Sequence, residues 1–214
     1  MDRWDGKTFR RGLVLNAKPV EVAVIQIGSM TMPRLQITVT GVPSGHDVRS
    51  GVTETLNRVL GLQADLKRFY RHAAKDARLS MLVGRFRGVK PPQFPSLLEA
   101  LVNGIACQQF SLAAGIQILN RLSEKFGIPV IETGIRAHTF PRPEDLAALK
   151  PEPLRNLGFS RHKAEAIIEL SRAIVAGNLD RDRLVSLDDG SAVEQLCSLL
   201  AWGVGRRNTF CCGV

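Results

Sequence analysis

Val, Ile and Leu concentrate in three short runs near the start of the chain, Gly12 to Leu15, Val20 to Ile27 and Arg34 to Thr40. Asn16-Ala17-Lys18-Pro19 and the segment from Gly28 to Pro33 separate them. Short β-branched runs bounded by turn residues predict an antiparallel sheet. The pattern then changes period. Val52, Leu56, Val59 and Leu60 recur at helical spacing, which predicts a helix capped by Asp47 or Ser50 and reaching about Leu60. A second helix is expected from Ala64 to Ala74. Gly88 to Pro95 carries three prolines in five residues, which excludes helix and central strand alike. Everything after it reads as helix. Ser96 caps a run through Ala106, and Ser111 caps another through Phe126, which Gly127-Ile128-Pro129 ends. Pro143 to Leu149, Pro151 to Leu157, Ser160 to Ala176 and Ser191 to Trp202 continue the series. The expected fold class is therefore α+β: an N-terminal domain over residues 1–90 with sheet and helices, then an all-helical domain over 91–214. No internal repeat of fixed period and no low-complexity tract interrupts it.

Composition narrows the class. With 214 residues, 44% of them hydrophobic, the chain can bury a substantial core. No window approaches ~18 consecutive apolar residues, and Met1-Asp2-Arg3-Trp4-Asp5 lacks the apolar stretch of a signal peptide. No membrane partner is expected, and the expected location is the cytoplasm. Cys107, Cys197, Cys211 and Cys212 lack the spacing of a zinc site or an iron–sulfur loop, so no metal and no cofactor are expected. The net charge is +9, from 29 Lys and Arg against 20 Asp and Glu. Such an excess suits a polyanion, because each phosphate neutralised by Lys or Arg releases a counterion. It suits solubility equally well, so charge by itself does not choose.

Four stretches are more specific. The first is Phe94-Pro95-Ser96-Leu97-Leu98-Glu99-Ala100-Leu101-Val102, running into Ala106-Cys107-Gln108-Gln109-Phe110-Ser111-Leu112-Ala113-Ala114. The second is Phe140-Pro141-Arg142-Pro143-Glu144-Asp145-Leu146. The third is Leu157-Gly158-Phe159-Ser160-Arg161-His162-Lys163-Ala164, and the fourth is Leu199-Leu200-Ala201-Trp202-Gly203-Val204-Gly205-Arg206. In this order, over about 120 residues, they resemble the AlkA-type DNA-3-methyladenine glycosylases of the helix-hairpin-helix glycosylase superfamily. The region before Pro91 is similar to that family's N-terminal domain.

The resemblance implies a monomeric, cofactor-free enzyme of base excision repair. It would flip an alkylated purine out of double-stranded DNA and hydrolyse its N-glycosidic bond. Gln109, beside Gln108, stands where relatives push a side chain into the gap left by the flipped base; a plain turn residue between two helices is the alternative. Ser111 is a helix cap under either reading. Ser160, Arg161 and Lys163 follow a glycine turn and suit a phosphate through backbone N–H groups and charge; a solvated helix start is the alternative. Gly203, Val204 and Gly205 form a hairpin too tight for large side chains, which would open a following helix with free N–H groups.

After that hairpin the expected second helix does not follow. Arg206 to Val214 has no helical period and two adjacent cysteines. The resemblance places a catalytic aspartate roughly twenty-odd residues beyond the hairpin, stabilising the cationic sugar and positioning the attacking water. No residue of this sequence stands there. Asp188 and Asp189 precede the hairpin and read as cap and loop residues, and no lysine follows it, so a Schiff-base lyase is not suggested. The polypeptide as written is therefore expected to be truncated within the hairpin motif and to give no turnover. A non-catalytic DNA-binding remnant and an unstable truncated product are the rival expectations. The apolar face of Val193, Leu196, Leu199 and Leu200 would be left uncovered in the last case. Relatives also carry a strand before Asp2, so Met1 is expected to be an internal start.

The genetic code makes the ending testable. Phe210-Cys211-Cys212 is encoded TTY-TGY-TGY whatever the codons, and a one-base shift of frame turns it into Leu-Leu followed by Arg or Trp. That restores the kind of sequence relatives carry on the second hairpin helix. A small deletion that shifts the frame after Arg206 is the expectation. Sequencing the gene past the codon for Val214 should reveal glycosylase-like codons in another frame; an uninterrupted gene without them would reject the deletion.

Overall fold

The computed structural model describes residues 2–29, 32–41, 45–91, 93–132 and 135–203. Val204 and Gly205, and with them most of the expected hairpin, lie outside the described residues. The chain forms two compact units, residues 1–44 with 96–214 and residues 45–95.

The first unit begins with an antiparallel sheet of four strands, β1 (Arg3–Trp4), β2 (Thr8–Leu15), β3 (Lys18–Gly28) and β4 (Pro33–Thr40), in the order β1-β2-β3-β4. The three runs expected from sequence are its longer strands. Leu15 opposite Lys18 leaves Asn16 and Ala17 as a two-residue turn, with φ of 49° and 61°. A mirror-image turn of this kind matches the twist of the strands and demands positive φ at both central residues. Val20, Val22 and Val24 fall on one face at period two, and all three are buried.

Arg11 lies opposite Val22, so the pleat turns its guanidinium into that same apolar face. A buried cation needs a partner. It finds Glu99, itself buried, and reaches Asp2 at 2.8 Å on the other side. On the opposite face Glu21 is buried between Arg3 and Arg10. Burial pushes the Glu99 carboxyl above the usual carboxylate range, although the Arg11 charge and hydrogen bond act in the opposite direction. Asp2 is raised for the same reason.

The second unit contains α1 (His46–Val59), α2 (Lys67–Ala73) and α3 (Ala77–Arg85). Neither Asp47 nor Ser50 caps α1: it starts after Gly45 with no side-chain cap, and Asp47 sits in the first turn. Val52 and Leu56 are its buried residues, as their spacing predicts. The expected helix from Ala64 starts later, where Asp65 accepts the Lys67 N–H at 2.9 Å. Helix α3 was not expected. Asp76 begins it by accepting the Arg78 and Leu79 N–H groups at 2.8 and 3.0 Å, and α3 buries none of its own residues.

The chain then returns to the first unit through α4 (Leu97–Cys107), α5 (Leu112–Phe126), β5 (Pro129–Glu132), β6 (Ile135–His138), α6 (Pro143–Ala147), α7 (Pro151–Arg155), α8 (Arg161–Val175), α9 (Arg181–Ser186) and α10 (Asp189–Gly203). Leu98, Val102, Leu119, Leu122, Ile167 and Leu170 form the centre of its core, with α4, α5 and α8 as its frame. Each such side chain contributes about 1.5–3 kcal/mol relative to exposure. Leu196 of α10 packs against this core, whereas Val193 is exposed. The hairpin of β5 and β6 corrects the expectation of helix throughout. Val130 and Ala137 pair across it and are both buried. It sits close to β2, where a Cβ on Gly12 would lie 3.1 Å from the His138 carbonyl oxygen.

Removing one member of a buried ion pair leaves the other charge uncompensated, at a cost of about 3–5 kcal/mol. Arg11→Met is therefore strongly destabilising at neutral pH. Without the cation, the folded-state pKa of Glu99 rises further above its unfolded value. Proton uptake by the folded state then restores stability below the ordinary glutamate range, and that stability is lost as pH rises through the raised value. Denaturant unfolding should show the Arg11→Met penalty growing from pH 4.5 to pH 7.5; a penalty that is constant with pH would contradict the pairing.

Candidate functional site

Helices α4 and α5 form a tight helical hairpin whose connection holds three of the singled-out residues. Gln108 ends α4 in an extended conformation, with ψ of 131°. Gln109 takes φ of 58°, a left-handed conformation, and is exposed. Ser111 then caps α5, its Oγ accepting the Ala114 N–H at 3.3 Å. The hairpin closes tightly because Gly115 has no side chain. A Cβ there would lie 2.9 Å from Cys107 Sγ and 3.4 Å from its Cα, so any larger residue would force the two helices apart.

A second tight turn leads into α8. Gly158, at φ of +112°, follows α7 and donates to the Arg155 carbonyl at 2.9 Å. Leu157 and Phe159 on either side are buried, and Arg121 of α5 donates to the Leu157 carbonyl at 3.4 Å. The turn is therefore anchored from both flanks. Ser160 caps α8, its Oγ accepting the Lys163 N–H at 3.3 Å. The backbone N–H groups of Arg161 and His162 have no hydrogen-bond partner among the described residues, which leaves donors at the positive end of a 15-residue helix. Arg161 is exposed and bonded to Glu165 at 2.8 Å, and the bond to that carboxylate raises its pKa.

Lys163 joins the two turns. Its Nζ donates to the Gln108 carbonyl at 2.6 Å and lies 4.2 Å from the centroid of the Phe110 ring. Partial burial lowers its pKa from the usual lysine range, with Cys107 acting the other way. The ammonium thus faces the connection between α4 and α5, and Gln108, Gln109, Ser111, Ser160, Arg161 and Lys163 lie in one neighbourhood. Phe110, Leu112 and Ile116 add exposed apolar surface beside Gln109. Gly203 ends α10, one residue beyond the expected helix. Sequence reasoning missed Phe110 as the lysine's partner and Gly115 as the point of closest approach. A glycine inside an otherwise apolar helical run was the available signal for the second.

Asp188 accepts the Ser191 N–H and hydroxyl at 3.0 and 2.7 Å, and the hydroxyl bond depresses its pKa. It is a capping residue, as its position before the helix suggested. Among the described residues, no three His, Cys, Asp or Glu side chains converge on a possible metal position. No helix among them is long and apolar enough to cross a membrane.

A family model described as HhH-GPD superfamily base excision DNA repair protein matches residues 102–212. The chain belongs to this superfamily. A DNA-3-methyladenine glycosylase of Bacillus subtilis is 29% identical over 160 residues, covering 75% of this chain and 53% of the relative. The chain therefore spans about half the length of that relative. The structure of a 3-methyladenine DNA-glycosylase from Archaeoglobus fulgidus aligns at a TM-score of 0.74 with 26% identity, covering 94% of this chain and 69% of that one. An 8-oxoguanine glycosylase/lyase from Clostridium acetobutylicum, in complex with double-stranded DNA, shares the fold at a TM-score of 0.69 and 18% identity, covering 95% of this chain and 63% of that one. The family match runs from the middle of α4 through both turns.

Lys163→Met keeps the apolar stem and removes both polar contacts. A hydrogen bond and a cation–π contact together contribute about 1–2 kcal/mol. Amide exchange at Ala114 and Gly115, the first bonded amides of α5, should quicken about tenfold, with far-ultraviolet dichroism unchanged. Unchanged exchange at those two amides would show that Lys163 does not hold the turn.

Proposed function

We propose that this protein is a DNA glycosylase of the 3-methyladenine type, acting on double-stranded DNA that contains alkylated purines. The site offers what nucleotide flipping requires. Free N–H groups at the head of α8, with Ser160 and Arg161, suit a backbone phosphate, and Arg161 can exchange Glu165 for that phosphate. Gln109 suits the space vacated in the base stack, where its amide can hydrogen-bond the orphaned partner base. Lys163 holds the connection carrying Gln109 against the helix carrying the phosphate donors, so grip and wedge move together. The names of the Bacillus subtilis and Archaeoglobus fulgidus relatives support alkylated purine as the lesion class. Hydrolysis also needs a carboxylate beside the extruded sugar. Asp188 is engaged in capping α10 and is not that group.

The observation that carries this reading is the backbone of Gln109. A residue with a side chain in the left-handed region costs about 1 kcal/mol relative to glycine. Gln109 accepts that cost at an exposed turn where its side chain makes no hydrogen bond among the described residues. The side chain itself is then the reason for the residue. Gln109→Gly should stabilise the fold by about 1 kcal/mol while weakening binding to a duplex with a tetrahydrofuran abasic analogue about tenfold. Binding to undamaged duplex should be unchanged. Equal affinity of variant and wild type for the abasic duplex would remove Gln109 from the site.

A further inference from the structure

The charge of this chain is not spread evenly. Residues 67–90 hold eight Lys or Arg and one acidic residue, Asp76, a net of +7 within a chain of net +9. None of the eight is in an ion pair among the described residues. Elsewhere seven of the described arginines are in ion pairs, among them Arg11 with Glu99, Arg142 with Asp145 and Arg172 with Glu169. Asp76 does not serve the cations, because its carboxylate caps α3. Lys90 is half-buried and donates to the Gly61 carbonyl at 2.5 Å; the other seven basic residues are exposed.

Two of these cations are held in place without losing charge. Arg87 lies 4.9 Å from the centroid of the Tyr70 ring, and Arg85 lies 5.3 Å from that of Phe86. A guanidinium on an aromatic face is oriented and still has N–H groups to offer a phosphate. On α2, Lys67 and Arg71 are four residues apart and share a face. On α3, Arg78 and Arg85 are seven apart, about 10 Å along the axis, the rise of roughly three nucleotides measured along a duplex axis at ~3.4 Å each.

We infer that the α2–α3 segment of the second unit is a further DNA-binding surface, taking the sugar-phosphate backbone without reading base sequence. The inference rests on the proposed function in one respect: that reading makes DNA the polyanion. Unpaired cations in and beside two short helices, two of them held on rings, match a dense line of phosphates. They also leave exposed Phe69 and Phe86 as platforms for any unstacked base. Exposed Met81, Leu82 and Val89 could instead dip into an anionic bilayer, and membership of a DNA repair superfamily favours DNA.

The test uses the full chain and a labelled undamaged duplex, with affinity measured by anisotropy across a salt series. In the variant Arg71→Gln/Lys75→Gln/Arg78→Gln, the slope of log affinity against log salt should become shallower by about 2 to 3. The charge-matched variant Lys125→Gln/Lys150→Gln/Arg172→Gln should keep the wild-type slope. A wild-type slope in the first variant overturns the surface; if Gln109→Gly still loses abasic-site binding, the proposed function survives that failure. Equal flattening in both triple variants would reduce the effect to net charge and also overturns it. So does binding to phosphatidylglycerol vesicles that the first variant alone abolishes while its DNA slope is unchanged.

Discussion

An ammonium group drawn partly out of water needs an acceptor, and in this protein Lys163 finds it across a gap between two helix starts. The Gln108 carbonyl at 2.6 Å and the Phe110 ring satisfy its charge. In doing so they join the head of α8 to the connection ahead of α5. The core alone would not place the side chains this closely. Leu119, Leu122 and Ile167 fix the helix axes, but a four-residue connection can turn in several ways on fixed axes. Gly115 removes part of that freedom by letting α5 lie against Cys107. Lys163 removes more by giving the Gln108 carbonyl one place to point.

The same rule, that a dry charge must be answered, connects the sheet to the site helix. Arg11 is carried into the apolar face by strand alternation, and its answer is Glu99 in the first turn of α4. The far end of α4 carries Gln108. A helix pinned at its start by a buried ion pair and at its end by a lysine has little room to slide. Buried pairs contribute little net stability relative to apolar residues of the same shape. They do penalise any arrangement that separates the partners, and here that favours one seating of α4 under the sheet.

Much of the site's scaffold was legible in the sequence because it depends on local chemistry. Ser96, Ser111 and Ser160 cap α4, α5 and α8 through bonds three residues long, and such bonds are written in adjacent letters. The three strand runs and the prolines after Gly88 are local in the same sense. What depends on distant partners was not legible. Arg11 and Glu99 are 88 residues apart and Lys163 and Gln108 are 55 apart, and neither pair has a signature in its own neighbourhood. The hairpin of β5 and β6 was missed because each strand is only four residues long, and a period cannot be read over so short a run. Helix α3 was missed for another reason. Its apolar residues are exposed apart from half-buried Val83, so no buried stripe supports the helical reading, and the Asp76 cap is the main local sign of its start.

Left-handed backbone occurs at three residues other than glycine among those described, and comparing them sets one apart. Asn16 and Ala17 occupy a two-residue strand connection, where the twist of β2 against β3 imposes positive φ whatever the side chain. The pairing of Leu15 with Lys18 supplies the stabilisation that offsets Ala17. Gln109 has no ladder on either side. The turn it occupies joins two helices, and helix connections of this length do not demand a left-handed residue with a side chain; glycine would meet the geometry at lower cost. An exposed glutamine kept there, beside unpartnered N–H groups and a lysine that fixes the turn, makes sense when the amide has work outside the folded chain. Under the proposed function the base stack of a bound duplex is such a place, and the strain at Gln109 would hold the amide outside the fold before DNA arrives.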